Sequence, residues 1–334
     1  PILVGDAGMG KSSIAAQYVK KNSAICYFNI MAERRNRPEK FLESVRQQLI
    51  NRYDLENAER DELAALLVKV RQKLGDNSLV IVVDALDEVE DEPGPNNVLN
   101  LPKHLPQGVY FFLTRRPYSE GQKRLVVEVP TGELNLSDEG DAEIKKMNRD
   151  DIKGYIRLFL EEDLEHKEKL REWIEGRQIA AAEFVELLAE KSEYNFMYLR
   201  YVLPAIANGD YNKNNNNLDI KELPEGLLQY YEQHWQRMKM EGENRENAVI
   251  LCVLADEGMP ISAEFVAQVV GRDKNDVLEV LEKKWRGFLK KTVQEKEECY
   301  SIYHKSFAEF LLKKPAIKRG TKLLSDNDDR FWEE

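Results

Sequence analysis

Residues 5 to 12 read Gly-Asp-Ala-Gly-Met-Gly-Lys-Ser, which fits the spacing G-x-x-x-x-G-K-[ST]. Glycines in such a loop let successive backbone N–H groups turn inward around an anion, and the start of a following helix adds partial positive charge. A polyphosphate is the expected ligand, cradled by Gly5, Asp6, Ala7, Gly8, Met9, Gly10, Lys11, Ser12 and Ser13. Lys11 is expected to reach the β- and γ-phosphates as a point charge, and the Ser12 hydroxyl to bind the accompanying Mg²⁺. The apolar run Leu79-Val80-Ile81-Val82-Val83 ends in Asp84. Ligands collect at the carboxyl ends of buried parallel strands, so Asp84 is the second candidate Mg²⁺ ligand. Asp87 and Glu88 follow closely, and one of them is expected to orient or deprotonate an attacking water, which makes hydrolysis the expected reaction. A third apolar run, Val109 to Leu113, ends in Thr114-Arg115-Arg116-Pro117. A guanidinium there would sense the γ-phosphate and neutralise transition-state charge.

These residues need elements to hold them. Ile2-Leu3-Val4 reads as the strand before the phosphate loop and Ser13 to Val19 as the helix after it. Ala24 to Ile30, Leu79 to Val83, Val109 to Leu113 and Leu125 to Val129 read as strands, with helices over Pro38 to Tyr53 and Arg60 to Leu74 between them. That alternation predicts an α/β fold: a parallel sheet flanked by helices. From about residue 148 the strands stop. Ile152, Tyr155, Ile156 and Phe159 share one helix face, and Ala180 to Leu188 and Phe196 to Ile206 continue the helical style, predicting an all-α lid. The polar run Asn208 to Asn217 reads as a surface loop. Short helices around Val249 to Leu254, Phe265 to Val270 and Val277 to Leu281, then strand-like Phe288 to Val293 and Cys299 to Tyr303, suggest a winged helix. The expected domains are residues 1–147 for nucleotide binding, 148–235 for the helical part and 236–334 for the winged helix.

Among 334 residues, 49 Lys and Arg stand against 60 Asp and Glu, for a net charge of −11. Acids also outnumber bases over residues 241–334, so a protein-packing role is expected there and nucleic acid is not an expected partner. There is no apolar run of bilayer-spanning length and no signal-peptide pattern, which predicts a cytoplasmic location and no membrane partner. Cys26, Cys252 and Cys299 are far apart in apolar stretches and read as structural thiols. The chain begins without Met, directly at its first strand, and is therefore expected to be a piece of a larger protein.

The loop Gly5 to Ser12, the segment Asp84-Ala85-Leu86-Asp87-Glu88 and the strand end Thr114-Arg115-Arg116-Pro117 resemble the STAND class of P-loop NTPases, particularly its NACHT branch. Ser192 to Tyr198, Leu223 to Tyr231 and Tyr303 to Leu311 are similar to segments of that class's helical and winged-helix domains, although Tyr194 stands where a glycine is common. The resemblance implies that Arg116 is the sensor arginine and that its strand lies between the two that carry Gly5 and Asp84. It also implies that His304 contacts the β-phosphate of ADP and locks a closed state. The activity implied is that of an ATP/ADP-controlled signalling switch: closed with ADP, oligomerising with itself when ATP-bound, hydrolysing ATP slowly, and serving immunity or death signalling. N-terminal effector and C-terminal sensor modules would lie outside this chain. The alternatives are an AAA+-like DNA-associated ATPase, in which a glutamate usually replaces Ala85, and a scaffold that binds nucleotide without hydrolysing it.

Overall fold

Apolar, β-branched runs build the sheet of the first part of the chain. Its strands are β1 (Ile2–Val4), β2 (Ile25–Phe28), β3 (Leu79–Asp84), β4 (Val109–Arg115) and β5 (Glu133–Asn135). They pair in parallel in the order β2-β3-β4-β1-β5. The computed structural model describes residues 1–90, 97–119, 121–211, 220–294 and 296–314, and it divides into two units, Pro1–Lys145 and Lys146–Glu334.

In the first unit the interior strands are apolar on both faces: Ile81, Val82 and Val83 are all fully buried. Helix α1 (Lys11–Asn22) starts directly after Gly10, whose φ of 84° only glycine adopts without cost. Helices α2 (Pro38–Tyr53) and α3 (Leu63–Leu74) pack their apolar stripes together, with Phe41, Val45 and Leu49 against Leu66, Leu67 and Val70 in one core with Ile81 and Val83. Pro38 opens α2 at the position where a missing N–H costs nothing. α3 begins at Leu63, three residues later than the sequence pattern suggests, with Glu62 in extended backbone before it.

One strand expectation fails. Leu125 to Val129 does not join the sheet; the place beside β1 is taken by β5, where Ile2 pairs with Glu133 and Val4 with Asn135. The backbone of the 125–129 segment is satisfied elsewhere. The Leu125 N–H donates to the Tyr118 hydroxyl, the Val126 N–H to Asn97 Oδ1 and the Glu128 N–H to the Lys103 carbonyl. Side chains and a loop carbonyl thus supply the partners that a strand would otherwise seek.

The second unit holds most of the helices. α4 (Ala142–Glu162) begins just ahead of its boundary, followed by α5 (Lys167–Glu175), α6 (Ala181–Lys191), α7 (Phe196–Ala207), α8 (Gly226–Arg237), α9 (Arg245–Glu257), α10 (Ala263–Val270), α11 (Lys274–Glu279) and α12 (Lys305–Leu312). Strands β6 (Ile261–Ser262), β7 (Leu289–Gln294) and β8 (Glu297–Ile302) form a small antiparallel sheet in the order β6-β8-β7. A single buried cluster runs from Ile152 on α4 to Leu311 on α12. The polar run from Asn208 enters the described residues only as far as Tyr211. Among the described residues no helix is long and apolar enough to cross a membrane.

Candidate nucleotide site

The sheet order decides what can meet. β4 lies between β3 and β1, as the resemblance implies, with Val4 level with Arg115 and Val83 level with Leu113. The segment Thr114 to Arg116 therefore emerges between the loop leaving β1 and the acids leaving β3. The Gly5 N–H donates to the Arg115 carbonyl at 3.3 Å, and the Asp6 N–H to Ser137 Oγ at 2.8 Å, which pins the start of the phosphate loop. Gly8 and Gly10, at φ 86° and 84°, turn its tip. Lys11 Nζ folds back onto the carbonyls of Gly5 and Asp6 at 2.7 and 2.9 Å, closing the loop around its own ammonium. Burial lowers the Lys11 pKa; Asp87 opposes this most strongly, Arg116 adds to the lowering, and Asp84 and Asp6 oppose it. All of these charges therefore act on the same spot.

Asp84 ends β3 and is 4 % exposed. Thr114, wholly buried at the end of β4, donates its hydroxyl to Asp84 Oδ1 and accepts the Ala85 N–H at 2.9 Å. The Ser12 hydroxyl bonds the same carboxylate. Burial raises the Asp84 pKa, the Thr114 and Ser12 hydrogen bonds and then Lys11 pull it down, and Asp87 pushes it up again. On the other side of β3, Asn29 is 3 % exposed and donates Nδ2–H to the Asp84 carbonyl at 2.7 Å. Asn36 does the same for the Glu88 carbonyl at 3.1 Å. Ala85 holds the left-handed conformation, φ 55°, and so bends the chain into the 3₁₀ turn Leu86–Glu88.

That turn delivers Asp87 to Arg116. The Arg116 N–H donates to Asp87 Oδ1 at 3.0 Å, and Arg116 Nε lies 3.2 Å from Oδ2. Arg115 points elsewhere: its guanidinium pairs with Glu133 at 2.8 Å, donates to the Arg116 carbonyl at 2.9 Å and stacks 3.9 Å over Tyr118. Gly5 to Ser12, Asp84, Asp87 and Arg116 thus converge at the carboxyl ends of β1, β3 and β4. Ser13 sits exposed in the first turn of α1, and Glu88 is placed by its backbone, its N–H donating to the Ala85 carbonyl. His304 belongs to the second unit. There it precedes α12, its Nδ1 accepting the Ser306 N–H at 3.3 Å and lying 2.7 Å from Ser306 Oγ. The three segments of that unit singled out from sequence are tied together: the Tyr198 hydroxyl donates to the Pro224 carbonyl at 2.6 Å, and the Tyr231 and Ser306 hydroxyls are 3.0 Å apart. Thr114 was visible in its motif without a role, and nothing in the sequence pattern marks Asn29, Asn36 or Ser137.

Two hard oxygens, from Ser12 and Asp84, stand side by side, a donor set that suits Mg²⁺, which takes one or two protein ligands together with phosphate and water. A glycine loop between β1 and α1, a lysine closing it and an acid at the end of β3 define a P-loop NTPase. The NACHT domain family model matches residues 1–163. Among solved structures the chain is similar to a STAND protein with a tetratricopeptide repeat sensor from Pyrococcus horikoshii, at 16 % identity and a TM-score of 0.42, covering 94 % of this chain and 40 % of that one. It is similar also to the Aeropyrum pernix ORC1 protein in complex with DNA, at 12 % identity and a TM-score of 0.26, covering 95 % and 87 %. A third is Drosophila ORC bound to DNA, at 14 % identity and a TM-score of 0.29, covering 93 % and 88 %. These likenesses are too distant to carry function across. No curated protein matches the chain.

Proposed function

We propose that this chain is the nucleotide-controlled core of a signalling switch: held closed by ADP, released by ATP to associate with further copies of itself, and reset by slow hydrolysis. The observation that carries the reading is the convergence of Lys11, Ser12, Asp84, Asp87 and Arg116 on one end of the sheet. The N–H groups of Gly5 to Ser13 would bind the phosphates, with Lys11 turning its ammonium from its own loop carbonyls to them. Ser12 and Asp84 would hold Mg²⁺, which supplies charge neutralisation at the phosphates when bound. Asp87, or Glu88 beside it, would orient the attacking water, and Arg116 would sense the γ-phosphate.

For the second unit we propose a helical domain up to about residue 235 and a winged helix after it. The succession α9, α10, α11 and the β7–β8 hairpin supports this. His304 in that part would contact the β-phosphate of ADP in the closed state. A cytoplasmic location and a role in immune or death signalling, with effector and sensor modules elsewhere in the full protein, complete the proposal. The test is to denature the purified protein and identify the released nucleotide, with Lys11→Ala as control. Stoichiometric ADP, lost in Lys11→Ala, supports a locked switch. Stimulation of hydrolysis by DNA would instead favour a DNA-associated ATPase.

A further inference from the structure

Asp87 holds Arg116 from two directions, and the two holds differ in what can break them. The backbone N–H of Arg116, the residue that follows β4, donates to Oδ1 at 3.0 Å, a contact that does not depend on rotation of the Arg116 side chain. The guanidinium contact, Nε to Oδ2 at 3.2 Å, depends only on side-chain rotation. The Asp87 side chain is 8 % exposed and that of Arg116 19 %, so neither charge is dispersed by bulk water. Lys11, the phosphate lysine, feels both Asp87 and Arg116. The strand register puts Arg116 one residue beyond the position level with Val4, where the phosphate loop begins. One guanidinium thus pairs with a carboxylate at the end of the sheet from which the phosphate loop leaves β1, close enough to Lys11 to act on its charge.

We infer that Asp87 sets the preference between nucleoside diphosphate and triphosphate by competing with the γ-phosphate for the Arg116 guanidinium. With a diphosphate the Asp87–Arg116 pair stays closed. A triphosphate must draw the guanidinium off Oδ2 and gains correspondingly less from it. The transfer releases Oδ2 from the guanidinium while Oδ1 keeps its backbone partner, so Asp87 remains in place beside the phosphates as a carboxylate able to hold a water. The same swap that registers the triphosphate would thereby ready the acid, with no backbone movement.

This inference rests on the switch reading, and the experiment separates the two. Affinities for ADP and for a β,γ-imido ATP analogue, each with Mg²⁺, are measured by titration calorimetry for the wild-type chain, Asp87→Asn, Arg116→Gln and the double variant. Asp87→Asn keeps an acceptor for the Arg116 N–H but removes the competing charge. It is expected to raise the analogue-to-ADP affinity ratio about tenfold, the scale of one charge-assisted contact, any effect of the lost charge common to both nucleotides cancelling in the ratio. Arg116→Gln should lower the ratio, and adding Asp87→Asn to it should change nothing further. An unchanged or lower ratio in Asp87→Asn, with Arg116→Gln still lowering it, sinks the competition and leaves the switch reading standing. An unchanged ratio in Arg116→Gln overturns both this inference and the sensor role of Arg116. If Asp87→Asn unfolds, as judged by thermal melting, Asp87→Ser makes the same comparison.

Discussion

Thr114→Val is the most informative single change in the site. Valine has nearly the shape of threonine, so the substitution opens no cavity at this wholly buried position; what it removes is one hydroxyl with two engagements. The hydroxyl accepts the Ala85 N–H and donates its one proton to Asp84 Oδ1. Without it the Ala85 N–H loses its partner at the bend after β3, and a carboxylate that is 4 % exposed keeps the Ser12 hydroxyl but loses its bond from β4. A hydrogen bond to a charged group is worth about 1.5–3 kcal/mol, and a buried donor left unpaired costs about 1–3 kcal/mol. Because the two losses share one atom they are not additive, and we expect about 2–4 kcal/mol of destabilisation.

The assay has two parts. Urea unfolding of the nucleotide-free protein gives the midpoint shift, and nucleotide affinity measured with and without Mg²⁺ gives the effect on the metal position. Thr114→Val should lower the midpoint and weaken binding only when Mg²⁺ is present. Thr114→Ser, which restores the hydroxyl, should recover most of both. If Thr114→Val stays within about 0.5 kcal/mol of wild type, the scatter ordinary for surface changes, and its Mg²⁺ dependence is unaltered, then the hydroxyl does not position Asp84.

Further changes test other parts of the structure. Ala85 sits at φ 55°, so a β-branched residue there is strained; Ala85→Val should cost about 1–3 kcal/mol in urea unfolding, and Ala85→Gly should be tolerated. In the second unit, burial and then Arg237 push His234 down to about 3 from its ordinary 6.5. The folded state holds the ring neutral while the unfolded chain protonates it, so stability should fall as pH drops from about 6.5 toward 3, by up to about 4 kcal/mol. His234→Phe should flatten that slope in pH-dependent melting, since the ring lies 4.7 Å from both Trp285 and Phe288 and a phenyl group suits its neighbours. Phe41→Ala empties a fully buried position between α2 and the sheet and should cost about 3–5 kcal/mol, read as a lower urea midpoint.

How far the sequence carried depended on whether the determining physics was local. The phosphate loop was legible because its glycines are needed for the backbone itself, at φ 86° and 84° in Gly8 and Gly10, and β3 because a doubly buried strand must be apolar throughout. The edge strand was not. Leu125 to Val129 has the apolar content of a strand, but the place beside β1 went to Glu133–Asn135, whose composition gives no sign of it. The choice was made by hydrogen-bond partners on Tyr118, Asn97 and Lys103, which no pattern within the segment records. The same limit hid Asn29 and Asn36, whose amides act on carbonyls more than fifty residues away along the chain.

The paired arginines show how a local ambiguity is settled by a neighbour. Arg115, the last residue of β4, and Arg116, the first beyond it, are adjacent and chemically alike, yet only Arg116 pairs with Asp87. Arg115 is held on its own side by Glu133, a residue of the strand misplaced from sequence, and by the ring of Tyr118. β5 therefore acts on the nucleotide site without touching it: by occupying Arg115 it leaves Arg116 as the guanidinium offered to Asp87. β4 then governs both acids, holding Asp84 through the Thr114 hydroxyl and Asp87 through Arg116, the first contact fixed by burial and the second open to exchange. If Asp84 holds Mg²⁺ as proposed, a fixed carboxylate beside an exchangeable ion pair suits a nucleotide-reading site, because the first must serve in either nucleotide state and the second must tell them apart.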